Sequence, residues 1–321
     1  MKKILIIFVV LVCNLWASSS VGSATGQFLE VNLNVRNMGM GNAATSMVMG
    51  SAANYVNPAG AVDFLGSNQF DLYTSTVKWP ADIQFGAISV AYKVRSLGVF
   101  SLSALYVNYG DEVRTTPDAP FGDGYFSIGG SSLALSFSRY ITDKFSFGFT
   151  VKNVSEDYDG SGYSQFAFDI GTLFRTGYKN INIGMSILNF SKEAQFSGKF
   201  LDYSDPVKFS LGEKSEYGNW PLPMTFRTGI SMEVFSNDII KSKIAADMIH
   251  PNNNDEVYGI GAEIIYNEYI ILRSGYQIGS DIQGLCLGGG LRLFNNIGVD
   301  YALNMMKYFG PRHRFAFNLK F

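Results

Sequence analysis

The end of the chain decides the fold, and it reads Arg314-Phe315-Ala316-Phe317-Asn318-Leu319-Lys320-Phe321. Side chains of a β-strand point alternately to opposite faces, so one face of this stretch carries Phe315, Phe317, Leu319 and Phe321. The other face carries small or polar residues, beginning with Arg314. One apolar face backed by a polar face is typical of a membrane-spanning β-barrel. Because this last strand stops on phenylalanine, we predict that its four apolar residues form the signal that barrel-assembly machinery recognises.

The same alternation recurs from about Gln69 onward, in segments of about ten residues. Fourteen such segments are predicted as strands: 68–77, 83–94, 97–109, 131–140, 144–155, 164–177, 180–190, 223–235, 240–248, 256–266, 269–278, 284–293, 296–305 and 312–321. An even number returns both chain ends to one side of the membrane, as in single-chain bacterial barrels. The predicted fold is therefore all-β, a 14-stranded antiparallel transmembrane β-barrel.

The lengths of the connections support this count. Membrane barrels alternate short periplasmic turns with longer external loops. The even-numbered connections are short, and the two longest, around 110–130 and 191–222, are odd-numbered and therefore external. Tyr258 and Tyr266 fall at opposite ends of one predicted strand on its apolar face, as two aromatic girdles at the membrane interfaces require. A soluble exported β-protein remains an alternative, although it conflicts with the alternation and the terminal phenylalanine.

The N-terminus carries the features of a secretory signal. A basic start, Met1-Lys2-Lys3, precedes an apolar run from Ile4 to Cys13, and small residues follow as far as Ala24. This run is too short for a membrane-spanning helix, which needs about 20 apolar residues. We predict a signal peptide at 1–24, a segment at 25–66 and a barrel at 67–321. The expected location is the outer membrane of a diderm bacterium, in contact with its lipid.

Composition excludes several classes of function. The formal charge is −2, with acidic and basic residues interspersed, so nucleic acid is not an expected partner. After signal cleavage Cys286 is the one cysteine left, so no internal disulfide is expected. The histidines, His250 and His313, lack neighbours at metal-ligand spacing, and no catalytic motif stands out. We therefore expect neither a metal, nor a cofactor, nor an enzyme.

Residues 25–66 do not alternate and are rich in glycine, alanine, methionine and asparagine. A fourteen-stranded barrel leaves space inside, so we predict that this segment is a plug. Its candidate motif residues are Gly39, Gly41, Asn57, Pro58 and Gly60. In Asn57-Pro58-Ala59-Gly60, asparagine is expected to cap a short helix, proline to begin it and glycine to allow a quick exit.

These residues carry a resemblance to a known family. The stretches 26–29, 35–43 and 52–60 resemble the opening of the PorV/PorQ family, and 223–229, 272–276, 300–302 and 313–315 resemble later family positions in order. The resemblance implies a fourteen-stranded barrel with an N-terminal plug, related in fold to the FadL long-chain fatty acid transporters. One departure is that similar proteins carry acidic residues before the NPAG motif, where this chain has Ser46-Met47-Val48-Met49-Gly50-Ser51.

Two functions follow from the resemblance. The first is assistance in protein export or surface attachment, as in type IX secretion, with a translocon or cargo proteins as partners at the outer loops 110–130 and 191–222. The alternative is FadL-like transport of hydrophobic small molecules across the outer membrane.

Charged residues on the inward parity are candidate lumenal groups: Arg227, Glu233, Glu263, Arg273, Arg292, Asp300 and Arg314. They could bind a ligand, but pairing of opposite charges across neighbouring strands is the expected role. Glycines share this face, as a water-filled lumen tolerates.

Overall fold

The computed structural model describes residues 22–63, 68–115, 119–202, 204–294 and 296–321. Most of the predicted signal peptide, 1–21, lies outside the described residues. Fourteen antiparallel strands close into a barrel, which confirms the predicted fold. They are β1 (Phe70–Lys78), β2 (Gln84–Val94), β3 (Gly98–Val113), β4 (Tyr125–Tyr140), β5 (Phe145–Tyr158), β6 (Ser161–Arg175), β7 (Asn182–Ser191), β8 (Thr225–Ser236), β9 (Ile240–Pro251), β10 (Val257–Tyr266), β11 (Ile270–Ile278), β12 (Gln283–Leu293), β13 (Ile297–Met306) and β14 (Gly310–Lys320).

Each strand pairs with its neighbours in the chain, and β1 pairs with β14 to close the barrel. In this seam Asp71 lies opposite Lys320 and Val77 lies opposite Arg314. The carbonyl oxygen of Phe321 accepts hydrogen bonds from the backbone of Gln69 and Phe70, so the last residue of the chain is part of the closure.

The two ends of the barrel differ, and each is named here by its connections. The turn end holds the start of β1, the end of β14 and the short turns 95–97, 141–144, 237–239 and 267–269. The loop end holds the connection 192–224, which contains the helix Pro206–Leu211 and two small antiparallel β-pairs. The other long loop is shorter than the predicted 110–130, because β3 and β4 extend to Val113 and Tyr125. Alternation fails there because glycine and serine occupy both parities, and a register shift between Asn108 and Gly110 interrupts β3.

The outward face of the barrel is an apolar surface. Tyr258 and Tyr266 stand on this face at the two ends of β10, with exposed fractions of 44% and 47%. On β14, Phe315 and Phe317 also point outward, whereas Arg314 and Ala316 are buried on the inward face. Exposed leucine, isoleucine and phenylalanine side chains are stable on a surface in contact with lipid. Within the described residues, every helix is too short or too polar to cross a membrane.

Residues 22–63 lie inside the barrel. This N-terminal segment forms three 3-10 helices, Gln27–Glu30, Ser51–Tyr55 and Pro58–Val62, and the α-helix Val35–Gly39. The α-helix begins at Asn34, whose side chain accepts a hydrogen bond from the Asn37 amide. Most residues of the segment are buried, so the lumen is packed rather than open.

Candidate functional site

The N-terminal segment crosses the lumen from one end of the barrel to the other. At the loop end, the amide of Gly26 donates to Glu156 Oε2 at 2.9 Å. At the turn end, Asp63 accepts hydrogen bonds from Arg175 and Tyr140. Between these points, the wall donates to segment carbonyls, as in the 3.0 Å bond from Asn304 to Met38. The segment is therefore anchored at both ends and along its length.

The NPAG motif forms a compact turn against β5 and β6. Asn57 caps the helix Pro58–Val62 by accepting from the Ala59 amide at 3.1 Å, and Pro58 occupies the first turn, as expected. Gly60 differs from the expectation, because it lies within the helix rather than at its exit. A Cβ on Gly60 would lie 2.4 Å from the Val48 carbonyl oxygen, so the residue is small to allow two parts of the segment to touch.

Gly39 and Gly41 bring the segment backbone against the wall. A Cβ on Gly39 would lie 3.1 Å from the Cα of Gly288. Gly41 has a φ of +68°, in the left-handed region that favours glycine, and its Cβ would lie 2.6 Å from the amide nitrogen of Tyr276. Both positions therefore require glycine for close approach, and Gly41 also for its backbone conformation.

Glycines on the inward face of the wall mark the contact with the segment. A Cβ on Gly148 would lie 2.3 Å from Pro58, and one on Gly275 would lie 2.2 Å from Met40. The same holds for a set that follows the path of the segment through the barrel: Gly171, Gly184, Gly259 and Gly261. The interpretation that inward glycines indicate a water-filled lumen is therefore wrong at these positions, which are packed against backbone.

A buried charge network occupies the turn half of the lumen, on β10 to β13. Glu263 accepts from Arg36 at 2.6 Å and from Arg273 at 2.8 Å. Arg273 also donates to Asp300 at 2.6 Å, and Arg292 reaches Asp300 at 3.2 Å. Three arginines thus share two carboxylates, and one of the arginines belongs to the N-terminal segment. The network joins the segment to four strands.

Three of the predicted lumenal charges lie outside this network. Arg227 lies 3.8 Å from Asp247 and also donates to Asn42 of the segment. Glu233 accepts from Asn180 at 3.1 Å. Glu233 also lies directly opposite Lys243 of β9, as expected for pairing across strands, although the two charged groups are not within 4.0 Å. Arg314 has no oppositely charged side chain within 4.0 Å among the described residues, so the expected pairing fails there.

Arg314 instead uses neutral partners. Its Nε donates to Asn304 at 2.8 Å, its Nη1 donates to the Asn32 carbonyl at 2.7 Å, and its guanidinium lies 5.3 Å from the centre of the Trp79 ring. The segment therefore satisfies this buried cation through its backbone and not through a carboxylate.

Sequence reasoning missed several residues of the lumen. These residues are Arg36, Asp63 and Glu156, and each takes part in a contact between the N-terminal segment and the barrel wall. The sequence gives no sign that Arg36 and Asp63 face the wall, because they lie in a segment without period-two alternation. Glu156 has the inward parity of β5 and could have been included with the other lumenal charges.

The loop half of the lumen is apolar. Here the inward side chains of the wall form one buried cluster with the start of the segment: Phe28, Leu33, Val77, Phe85, Ala87, Leu105, Val107, Val154, Tyr163 and Ala167. Leu29 and Val31 pack against this cluster and are partly exposed. A lumen that conducts hydrophilic solutes is polar, as in porins, so this half has a different character.

A small cavity of about 50 Å³ lies where the apolar cluster meets the first polar groups. Its apolar lining includes Leu29, Leu105 and Leu188, and its polar floor includes Lys152 and Asp169. The ammonium of Lys152 lies 2.7 Å from Asp169 and also donates to the side chain of Asn189. The charges at this floor are therefore paired. A larger cavity of about 430 Å³ lies at the turn end, beside residues 46–49.

Tyr55 of the segment lines the same small cavity. Burial raises the pKa of the Tyr55 phenol well above its usual value, so the group stays neutral. Its hydroxyl donates to the carbonyl oxygen of Ile88 at 2.6 Å. The segment thus contributes an uncharged wall to the cavity.

The remaining predicted residues occupy separate places. Phe321 stacks on Phe70 with ring centres 5.1 Å apart, and Leu319 pairs with Leu72 in the seam between β14 and β1. His250 lies 3.1 Å from Glu256, and Cys286 is buried on the inward face of β12. Across the described ranges, groups of three or more metal-ligating side chains do not occur.

The chain resembles solved structures of hydrocarbon channels and FadL-type proteins. It matches the CymD monoaromatic hydrocarbon channel with a TM-score of 0.60 and 13% identity, over 91% of this chain and 98% of that chain. The toluene transporter TodX of Pseudomonas putida matches with a TM-score of 0.54 and 13% identity, over 94% and 97%. A FadL homologue of Pseudomonas aeruginosa matches with a TM-score of 0.55 and 13% identity, over 89% and 97%. No family model and no curated protein matches the chain.

Proposed function

We propose that this protein carries neutral hydrophobic small molecules across the outer membrane. The observation that supports this most strongly is the apolar loop half of the lumen, which includes Phe85, Leu105 and Val107. Binding sites for small hydrophobic ligands are lined mainly by apolar side chains, with a few polar groups. The loop end faces the outside and the turn end faces the periplasm, because long connections are external in such barrels.

The charges near the small cavity favour a neutral solute over a carboxylate. Lys152 directs its ammonium to Asp169 and Asn189, so two of its three donors already have partners. Arg314 is nearly fully buried and donates to Asn304 and the backbone of Asn32. A fatty acid would find both cations already bonded to groups of the protein, whereas an aromatic or aliphatic hydrocarbon needs no charged partner.

Passage requires the N-terminal segment to shift. Leu29 and Val31 are partly exposed to the loop end, but Leu33 and the following helix Val35–Gly39 close the lumen beneath them. The solute therefore first occupies the apolar vestibule formed by the loop half. Movement of residues 29–39 would then connect this vestibule to the cavity of about 430 Å³ at the turn end.

Uptake of labelled toluene tests the proposal, in a host that lacks its own hydrocarbon channel. The wild-type protein should raise uptake, and Leu105→Asp should abolish the increase because it places a charge in the vestibule. Ser127→Asp is the control, since Ser127 is exposed at the loop end and outside the lumen. Heat-modifiable migration in detergent gels verifies that each variant is folded. Wild-type uptake equal to that of the empty host would overturn the proposal.

Protein export is the alternative proposal. It draws on the connection 192–224, where the helix Pro206–Leu211 exposes Val207 and Leu211, at 68% and 67%. Exposed apolar side chains on an external loop are suited to contact with a partner protein. Deletion of the gene separates the two proposals. Loss of secreted or surface-attached proteins with unchanged toluene uptake would favour export.

A further inference from the structure

Glu156 is a buried carboxylate without a cation. It lies on the inward face near the loop end of β5, with an exposed fraction of 3%. Among the described residues, every other buried carboxylate has an arginine or lysine within 4.0 Å: Asp71, Asp169, Asp247, Glu263 and Asp300. An uncompensated buried charge is costly, so Glu156 requires an explanation.

The groups around Glu156 are neutral donors, and most of them donate to one of its two carboxylate oxygens. Oε2 accepts from Tyr163 at 2.9 Å, from the Gly26 amide at 2.9 Å and from Thr25 Oγ1 at 3.2 Å. Oε1 receives only a long contact from Tyr158 at 3.4 Å among the described residues. The carboxylate therefore has room for a further donor on the side of Oε1.

The backbone nitrogen of Thr25 is the candidate for that donor. The hydroxyl of the same residue already contacts Glu156, and the next residue in the chain is Gly26. The Thr25 nitrogen itself donates to the Pro221 carbonyl at 3.0 Å. A cavity of about 240 Å³ lies beside it, lined by Gln27, Phe196 and other residues. The preceding residues, Gly22-Ser23-Ala24, are small, as a signal peptidase requires near its cleavage site.

We propose that processing cuts the chain after Ala24 and that the new α-ammonium group of Thr25 is the missing cation of Glu156. A water molecule is added across the Ala24–Thr25 peptide bond, which releases the Ala24 carboxylate and the Thr25 amine, and the amine binds a proton at neutral pH. An ammonium group has three donors. One continues to bond Pro221, and the others reach Glu156 as charge-assisted hydrogen bonds.

Cleavage adds a charge-assisted contact to the one that the Gly26 amide already makes with Glu156. Before cleavage, the Thr25 nitrogen is a neutral amide with one hydrogen, and Glu156 has no cation among the described residues. After cleavage, the ion pair holds the start of the segment at the loop end. The inference does not depend on which solute the barrel carries.

Two measurements on the purified full-length barrel test this site. Intact mass should show that the mature chain begins at Thr25, and any other first residue would overturn the inference. Acetylation of the α-amine by an N-hydroxysuccinimide ester at pH 7.5 should be about tenfold slower in the wild type than in Glu156→Gln. Asp157→Asn is the matched control, because Asp157 is the exposed neighbouring carboxylate and should leave the rate unchanged.

An insertion keeps the test decisive if Glu156→Gln does not fold. One glycine added between Ala24 and Thr25 moves the amine by about 3.5 Å while Glu156 and its other donors stay in place. The amine of this variant, with its start verified by mass, should react about tenfold faster than that of the wild type. Equal rates would show that Glu156 serves only as an acceptor for neutral groups, which would contradict the proposed ion pair.

Discussion

The loop half and the turn half of the lumen are built from the same fourteen strands but have opposite chemistry. In the loop half, inward residues such as Phe85 and Leu105 form a buried apolar cluster, which we propose as the vestibule for the solute. In the turn half, Glu263 binds Arg36 of the N-terminal segment, and Arg273 and Asp300 continue this charge network along the wall. Strand alternation therefore determines which residues face inward, while the part of the N-terminal segment that they contact differs between the two halves.

The largest effect on the openness of the lumen is expected where backbone touches backbone. Gly275→Val should displace the segment, because a Cβ at this position would lie 2.2 Å from Met40. Overpacking of this kind costs about 1–3 kcal/mol, and the lumen would open. Single-channel conductance in planar bilayers should rise about tenfold. Gly289→Val is the control, since its nearest neighbour would be Ile271 at 3.8 Å, and equal conductance of the two variants would refute this role of the segment.

A second change tests the charge network of the turn half. Glu263→Gln leaves Arg36 and Arg273 without their shared carboxylate, and breaking a buried pair costs about 3–5 kcal/mol of unfolding free energy. Glu268→Gln removes an exposed partner of Lys241 and should cost less than about 1 kcal/mol. Urea titrations in detergent give both free energies. Similar losses for the two variants would mean that the network does not hold the segment.

The third change tests the neutrality of the vestibule floor. Asp169→Asn removes the carboxylate that occupies Lys152, so the ammonium becomes available to a ligand. A hydrogen bond to a charged group contributes about 1.5–3 kcal/mol, and laurate should therefore bind at least about tenfold more tightly than to the wild type. Binding of toluene should change little. Asp159→Asn, which removes an exposed partner of Arg114, is the control. Equal laurate affinity in all three proteins would argue that Lys152 does not face the solute.

The smallest effect on the lumen is expected from the outward face, which both halves share. Deletion of Phe321 removes the carbonyl that bonds Gln69 and Phe70, together with the ring that stacks on Phe70. We expect a lower amount of assembled barrel, measured by heat-modifiable migration, with unchanged export to the periplasm. The barrels that do assemble should transport toluene normally. Normal assembly without Phe321 would undo its predicted role as an assembly signal.

The fold could be predicted because the outward face follows one chemical rule, that most of its side chains are apolar. Phe315 and Phe317 obey it, and so do Tyr258 and Tyr266, so period-two alternation was sufficient to find fourteen strands. The predicted strand boundaries were less accurate at the loop end, where β4 extends through serine and glycine and no longer alternates.

The lumen was less predictable, because its demands come from residues distant in the chain. The role of Gly148 can be predicted only by a reader who knows that Pro58 packs against it. The role of Arg36 likewise depends on its contact with Glu263. The parity of Glu156 indicated only that it points inward. The proposal that Thr25 supplies its cation needed the contact between Thr25 and Glu156, which lie far apart in the chain.

We propose that the loop half is a vestibule for neutral hydrophobic solutes. The position of a bound aromatic molecule would show whether this is so. Crystals of the purified barrel soaked with iodobenzene would locate the solute by the anomalous signal of iodine. We expect the iodine to lie inside the lumen, against Leu29, Leu105 and Leu188. Iodine found only on the outward face, with the vestibule unchanged, would contradict it.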